Sequence, residues 1–265
     1  MKKYTIWIKV LLPVVILSAM LVTVFATPAL RRVFLKENTQ REAFVPDPQH
    51  RFSETEKAQL SSIFRLYAHL DSCTKLYISG VFSAVDHADS LANISQEFIF
   101  SRNGNEFYYK IGSTEMISLA DAFITISHDA GKIIVSRPKK LAAPFQLPMD
   151  TLFKVWDNEN YRVHAGISKG DSVVSLTCAN HATCKEYRFV FNPETLSLKE
   201  NYMRLTNLRD PFNPDMDKEV HTVITSWKED YVNGKILDMG SYLSGSAPQW
   251  TPAGAYKDYK LVNAF

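Results

Sequence analysis

Three side chains that could bind a metal or form a covalent link stand at even spacing in the second half of the sequence. Cys178, His181 and Cys184 form the pattern C-x-x-H-x-x-C. Two cysteines that flank a five-residue loop can form a disulfide in an oxidising compartment. The same residues could instead supply three zinc ligands, although the sequence offers no fourth one. An oxidising compartment favours the disulfide Cys178–Cys184 over free thiols and over a zinc site. Cys73 then has no disulfide partner and is expected to be a small buried residue.

Oxygen-bearing side chains alternate along a second segment, as they do in calcium-binding loops. They are Asp210, Asn213, Asp215, Asp217 and Glu219. The segment lacks the glycine and the distant bidentate glutamate of an EF-hand. We therefore interpret it as an acidic surface turn, and the sequence predicts no metal site and no cofactor.

The sequence signatures of several enzyme classes are absent. It contains no H-E-x-x-H, no G-x-S-x-G and no P-loop. Six of the 30 basic residues lie at or before Lys36, where no acidic residue occurs, which leaves 24 basic against 28 acidic residues beyond it. A nucleic-acid-binding protein needs a basic face, and the composition offers none. We predict a non-catalytic protein without a nucleic-acid partner.

An apolar segment near the N-terminus determines where the protein acts. Residues 10–30 are 21 residues without a charge. At about 1.5 Å per residue, a helix of that length crosses a hydrocarbon layer of about 30 Å. Lys2, Lys3 and Lys9 precede it, so the N-terminus should remain in the cytoplasm. This predicts a single-pass anchor in the cell inner membrane with the rest of the chain outside the cytoplasm.

A cleaved signal peptide is the alternative interpretation of the same segment. Val24-Phe25-Ala26 would allow cleavage before Thr27, which would release the chain. The apolar run exceeds the usual length of a signal-peptide core and is followed by Arg31-Arg32, which favours the anchor. The predicted organisation is an N-terminus and anchor at 1–36, a polar spacer at 37–52 and one envelope-exposed domain at 53–265.

The domain begins with a helix that is recognisable from its cap. Ser53-Glu54-Thr55-Glu56 has the pattern of a capping box. Five apolar residues then share one helix face: Leu60, Ile63, Phe64, Tyr67 and Leu70. Burial of each contributes about 1.5–3 kcal/mol, so a sheet is expected to cover this face.

Two hairpins supply the strongest strand signals. In residues 96–111, a turn at Asn103-Gly104 puts Phe100 opposite Phe107 and Phe98 opposite Tyr109. These four side chains and Ile111 then share one face, which we expect to pack against the helix. In the second hairpin, a three-residue loop ending at Gly131 pairs Ile126 with Ile134.

The remaining strands complete an open sheet. They are predicted at 75–84, 160–167, 172–178, 184–191, 195–204, 218–228 and 257–263, with a short helix from Pro148 that carries Leu152, Phe153 and Trp156. The fold class is α+β. About eleven strands form a curved antiparallel half-barrel, covered by the long helix and the short inserted one, with a transmembrane helix before them.

This order of elements over residues 53–265, together with the segment 124–135, resembles the LolA/LolB-type half-barrel of bacterial envelope lipoprotein carriers. The resemblance implies a periplasmic domain whose concave sheet face, lidded by helices, holds acyl chains. The functional arginine of that family has no match that we can place, so no lipid-contacting residue is transferred. A membrane anchor also argues against a diffusing shuttle.

Two functional hypotheses follow. The first is a membrane-anchored envelope protein that binds lipid or lipoprotein in the half-barrel, with candidate contacts at Phe64, Phe98, Phe100, Phe107 and Tyr109. The second is a structural or interaction subunit of an envelope assembly such as a secretion apparatus, which binds other envelope proteins. A binder needs a pocket of about a few hundred Å³, whereas a scaffold can fill the same space with its own side chains.

Overall fold

The computed structural model describes residues 51–138, 149–247 and 249–264. The helices within them are α1 (Glu54–Ser72) and α2 (Met149–Asn158). The strands, in chain order, are β1 (Lys75–Asp86), β2 (Ile94–Asn103), β3 (Glu106–Ile111), β4 (Thr114–Ser118), β5 (Phe123–Ser127), β6 (Lys132–Ser136), β7 (Arg162–Ser168), β8 (Asp171–Thr177), β9 (Cys184–Phe191), β10 (Leu198–Leu205), β11 (Lys218–Glu229), β12 (Leu243–Ser246), β13 (Gln249–Pro252) and β14 (Lys260–Ala264). The predicted anchor at residues 10–30 lies outside the described residues. In the described ranges, no helix has the length and apolar character needed to span a membrane.

Twelve of these strands form one curved sheet with two free edges. Its order is β14-β6-β5-β4-β3-β2-β1-β11-β10-β9-β8-β7, and the neighbours are antiparallel except for β14, which runs parallel to β6. Strands β12 and β13 form a separate small hairpin. The α+β class and the open sheet agree with the prediction. The prediction of about eleven strands was too low, because it omitted the short strands β4, β12 and β13.

Helix α1 begins where its cap predicts. The Ser53 hydroxyl accepts from the Glu56 backbone N–H at 3.2 Å, and the Glu56 carboxylate accepts from the Ser53 N–H at 2.9 Å. These two bonds satisfy donors that the first helical turn leaves open. The buried face of the helix consists of Leu60, Ile63, Leu66, Tyr67 and Leu70, and Phe64 is partly buried.

The sheet is covered on different faces in its two halves. We call the face that packs against α1 and α2 the helix face and the other one the back face. On the helix face, both helices share one core with strands β1, β2, β8 and β9. On the back face, strands β4 to β6 share a second core with the segment from Ile236 to Leu261. On the helix face of β5 and β6, Phe123 belongs to the first core, whereas Ile134 is exposed.

The first hairpin has a different register from the predicted one but the same faces. Phe100 pairs with Tyr109 and Phe98 with Ile111. Gly104 occupies the first loop position with φ 61°, which favours a type II′ turn instead of the predicted turn at Asn103-Gly104. The shift amounts to two residues, so each side chain keeps its predicted face.

The second hairpin differs by one residue, and this does change a face. Ile126 pairs with Ile133, and the loop contains four residues, 128–131. His128 leaves the strand because its side chain contacts Glu115 at 2.6 Å and Tyr259 at 2.9 Å. The predicted pairing of Ile126 with Ile134 was wrong. Because side chains alternate along a strand, Ile134 lies on the helix face, opposite to Ile126.

Candidate functional site

A single row of cross-strand neighbours runs along the helix face from the core to one edge of the sheet. The row consists of Ile78, Phe100, Tyr109, Met116, Thr125, Ile134 and Val262, each paired in register with the next. Register partners on adjacent strands point to the same face. We call this set the helix-face row.

The row is buried at its inner end and exposed near the edge of the sheet. Phe100 is 1% exposed, whereas Ile134 is 42% and Val262 is 38% exposed. Tyr109 and Met116 are intermediate. Adjacent strands lie about 4.8 Å apart, so the part of the row from Tyr109 to Val262 spans about 19 Å. We call the four residues Met116, Thr125, Ile134 and Val262 the outer row.

The opposite face of the same strands explains why the outer row keeps this orientation. Ile124, Ile126, Ile133 and Val135 are all fully buried in the back-face core. A one-residue slip of β5 or of β6 would expose the two of these side chains that the strand carries, at a cost of about 1.5–3 kcal/mol each. The register is therefore fixed by the back face, and Ile134 remains on the other side.

A pair of lysines flanks the outer row. Lys132 and Lys260 are register partners on the helix face, two residues before Ile134 and Val262 on their strands, and both are exposed. Like charges placed directly opposite each other destabilise a sheet. In the described part of the chain, neither ammonium group has a carboxylate within ion-pair distance. An anion bound beside the outer row would neutralise this repulsion.

The predicted ligand contacts lie at the inner end of the row. Phe98, Phe100 and Phe107 are at most 5% exposed in the core beneath α1, and Phe64 and Tyr109 pack against that core. The structure thus brings all five predicted residues together and fills the space between them with their own side chains. Burial raises the pKa of the Tyr109 phenol, which keeps the row uncharged. The outer row was missed because its recognition depends on the register of the second hairpin.

A second concave surface lies on the back face. It contains a cleft of about 700 Å³ beside a bulge at Thr225 of β11, opposite Gly80 of β1, and is lined in part by Tyr77, Val81, Glu97 and Lys110. Gly80 makes this bulge possible, because a Cβ atom there would lie 2.0 Å from the carbonyl oxygen of Val223. The lining combines one acidic group, one basic group and several hydroxyl groups, which could form hydrogen bonds or ion pairs with a polar ligand.

The loop of the C-x-x-H-x-x-C pattern is closed without a covalent bond. Cys178 and Cys184 are free thiols, so the predicted disulfide is not formed in this structure. The Cys184 thiol donates to the carbonyl oxygen of Glu186 at 3.2 Å, and the Cys178 N–H donates to Lys185 at 2.9 Å. His181 is buried at the centre, where its Nδ1 accepts from the N–H of Cys184 at 3.0 Å. Oxidation of the pair stays a prediction.

The interpretation of the Asp210–Glu219 segment as a surface turn holds only in part. Asp217 is 1% exposed, and both of its carboxylate oxygens bind the Lys185 ammonium, at 2.8 Å and 3.0 Å. The Asp217 carboxylate is therefore neutralised by the lysine ammonium and does not point into the loop as a calcium ligand would. Asn213 caps a short 3-10 turn by accepting from the Asp215 N–H.

Comparison with known proteins found similar solved structures but no matching family. No protein-family model matches the chain, and no curated protein matches it significantly. Among solved structures, similar ones include a DUF1329 family protein from Desulfovibrio piger (12% identity, TM-score 0.31, covering 71% of this chain and 99% of that one) and a LolA superfamily protein from Nitrosomonas europaea (9%, 0.29, 66% and 96%). A putative outer membrane lipoprotein-sorting protein domain from Vibrio parahaemolyticus is also similar (7%, 0.28, 68% and 97%). This similarity includes the LolA superfamily, which the sequence resembles. At these TM-scores it transfers no residue and no function.

Proposed function

We propose that this chain is a non-catalytic envelope protein that binds an anionic lipid, or the acyl chains of a lipoprotein, along the outer row. One observation carries the proposal. A row of side chains that is part of the core at Phe100 continues without interruption to Ile134 and Val262, where it is exposed. Water-exposed apolar side chains that continue a core are a favourable surface for an apolar ligand.

The dimensions and charges of the outer row fit this class of ligand. An acyl chain laid across β3 to β14 would cover Tyr109 and the outer row, a track of about 19 Å. Each Å² of apolar surface removed from water contributes about 25 cal/mol. An anionic head group beside Lys132 and Lys260 would relieve the repulsion between these two ammonium groups. Thr125 supplies a hydroxyl group in the middle of the track.

The proposed location follows from the sequence. The uncharged segment 10–30 would anchor the chain in the inner membrane, and residues 53–265 would lie in the periplasm. An anchored domain can receive a lipid from the outer leaflet or hand one to a partner without diffusing. A mature N-terminus at Thr27 would replace the anchored form by a released periplasmic one and leave the binding proposal intact.

Site-specific crosslinking tests the binding proposal. A photoreactive phenylalanine analogue replaces Ile134 in one variant and Val223 in another, since Val223 is similarly exposed on the back face of β11. After irradiation of intact cells, the full chain is purified and its mass is measured. We expect lipid adducts at position 134 and none at position 223. Equal adducts at both positions, or none at 134, would refute the proposal.

A second candidate function rests on the back-face cleft. Its volume of about 700 Å³ and its mixed lining suit a polypeptide segment better than an acyl chain. In this case the chain would be an interaction subunit of an envelope assembly, as in the alternative hypothesis. The same photoreactive analogue at Val81 should then give protein adducts, and their absence would remove this candidate.

A further inference from the structure

Three side chains of types that can bind a metal, from two distant parts of the sequence, meet at the C-terminal end of α1. His69 and Cys73 are four residues apart at this end, and Glu229 is the last residue of β11. His69 Nε2 lies 2.9 Å from Glu229 Oε1 and 3.8 Å from Cys73 Sγ. One ligand atom from each residue lies within 4.8 Å of the other two. None of the three is fully buried, so an ion in solution can reach them.

We propose that His69, Cys73 and Glu229 form a binding site for Zn²⁺ with an open fourth position. Zinc prefers a tetrahedral set of nitrogen, sulfur and oxygen ligands, at about 2.0–2.3 Å from the metal. Tetrahedral geometry at these bond lengths separates the ligand atoms by about 3.3–3.8 Å. The observed separations of 2.9 Å and 3.8 Å bracket this range. The ion can therefore enter after small side-chain movements.

The geometry distinguishes a metal site from a catalytic relay. In a cysteine nucleophile with a histidine base, the thiol faces one imidazole nitrogen and the carboxylate orients the ring through the other. Here the thiol and the carboxylate both face Nε2 of His69. Such a shared nitrogen cannot pass a proton between them in a relay. Three atoms that converge on one point are instead the arrangement of ligands around an ion.

Neighbouring groups hold two of the three ligands in place. The Trp227 Nε1–H donates to Glu229 Oε1 at 2.9 Å, which orients the carboxylate as outer partners do in known metal sites. The buried side chain of Arg102 donates to the carbonyl oxygen of Cys73 and fixes its backbone. Zinc bound here would link the end of α1 to the end of β11, in addition to the apolar contacts of the helix.

Zinc binding at this site releases one proton from the thiol. The Cys73 thiol gives its proton to solvent, and Sγ donates an electron pair to the metal. His69 coordinates through Nε2 as a neutral imidazole with its ring hydrogen on Nδ1.

Metal titration of the full chain, purified in mild detergent under reducing conditions, tests the site. Competition with a chromogenic chelator should show one equivalent of Zn²⁺. Co²⁺ should bind in its place and give a thiolate-to-cobalt charge-transfer band. Cys73→Ser should abolish the band and weaken Zn²⁺ binding by about 10-fold or more, since changes in the outer partners alone cost that much. Cys178→Ser, the matched control, should retain both.

A second variant shows whether weaker binding comes from the lost ligand or from a folding defect. Glu229→Gln removes the charge but keeps an oxygen that can accept from Trp227, so its circular dichroism should match that of the unchanged chain. It should weaken Zn²⁺ binding by about 10-fold and retain the charge-transfer band. Three results would overturn the site: no stoichiometric binding, unchanged binding in both variants, or loss of the band in Cys178→Ser. None of these three results affects the lipid adducts expected at position 134, so the two proposals can fail separately.

Discussion

Lys185 and Asp217 form a buried ion pair between β9 and the residue that precedes β11. The Lys185 ammonium lies 2.8 Å and 3.0 Å from the two carboxylate oxygens, and the side chains are 3% and 1% exposed. The Asn207 N–H also approaches Asp217 Oδ1, at 3.4 Å. These contacts hold the loop between β10 and β11 against β9. Either charge alone would be costly to bury in this position.

Removal of one partner should therefore destabilise the domain strongly. Lys185→Met removes the nearest counter-charge of the buried Asp217 carboxylate and leaves only Arg204 Nε, at 3.9 Å, so the free energy of unfolding should fall by about 3–5 kcal/mol in a urea titration. The double variant Lys185→Met, Asp217→Leu should recover most of this loss, because it removes both charges. Lys199→Met is the control, since it breaks an exposed pair with Asp171 and should cost less than about 1 kcal/mol. Equal losses at positions 185 and 199 would contradict the argument.

The two ends of the helix-face row should differ in stability. Phe100→Ala leaves a cavity in a closed core and should lower the free energy of unfolding by about 3–5 kcal/mol. Ile134→Ala removes a half-exposed side chain and should cost less than about 1 kcal/mol. Urea titration of both variants measures the difference. A small loss for Phe100→Ala would mean that the space beneath α1 is a ligand cavity.

Local signals predicted the parts of the fold that depend on neighbouring residues. The capping box at Ser53 and the apolar spacing that follows it identified α1, because both act within a few turns of one helix. The first hairpin kept its predicted face although its register shifted, since a shift of two residues preserves the alternation. The sequence therefore predicted which side chains of this hairpin share the helix face.

Contacts between residues far apart in the sequence determine the features that were not predicted. The second hairpin differs from the predicted register by one residue because the His128 side chain contacts Tyr259, which is 131 residues away in the sequence. This displacement puts Ile134 on the helix face, where Val262 of the parallel strand β14 extends the row. No local pattern at 126–134 contains that information. The cluster of His69, Cys73 and Glu229 escaped prediction for the same reason.

Arg102 should stabilise the end of α1. Its guanidinium is buried and donates to the carbonyl oxygens of Leu70 and Cys73, which have no partner within the helix. Arg102→Met should lower the free energy of unfolding by about 2 kcal/mol or more, because buried acceptors are left unsatisfied. Hydrogen exchange should quicken in the last turn of α1. Arg188→Met is a suitable control, since its pair with Glu200 is only half-buried, and exchange in α1 should not change.

The oxidation state of Cys178 and Cys184 can be measured. In chain isolated under non-reducing conditions, the predicted Cys178–Cys184 link should lower the intact mass by two hydrogens relative to reduced chain. Reduction should leave the fold intact, because hydrogen bonds around His181 already close the loop and a short loop restricts the unfolded chain only modestly. Once reduced, both thiols should alkylate slowly near neutral pH, since burial raises the pKa of each. Full alkylation of the denatured, unreduced chain would rule out the link.

The contact of His128 with Glu115 should hold the C-terminal segment on the back face. Glu115 is 3% exposed and lies 2.6 Å from His128 Nε2, and the Tyr259 hydroxyl lies 2.9 Å from His128 Nδ1. His128→Ala leaves the carboxylate without its nearest partner, so the free energy of unfolding should fall by about 3 kcal/mol and hydrogen exchange in β14 should quicken.

Two matched variants separate the carboxylate from the other contacts of His128. Tyr259→Phe removes one hydroxyl group and should cost only about 1 kcal/mol. The double variant Glu115→Gln, His128→Ala should be more stable than His128→Ala alone, because it no longer buries a carboxylate whose remaining partners, Lys110 at 3.7 Å and Tyr256 at 3.3 Å, are more distant than His128. If exchange in β14 is unchanged in His128→Ala, the apolar contacts of Tyr242 and Leu243 hold the segment without the histidine. In that case the register of β6, and with it the orientation of Ile134, is fixed by the back-face core alone.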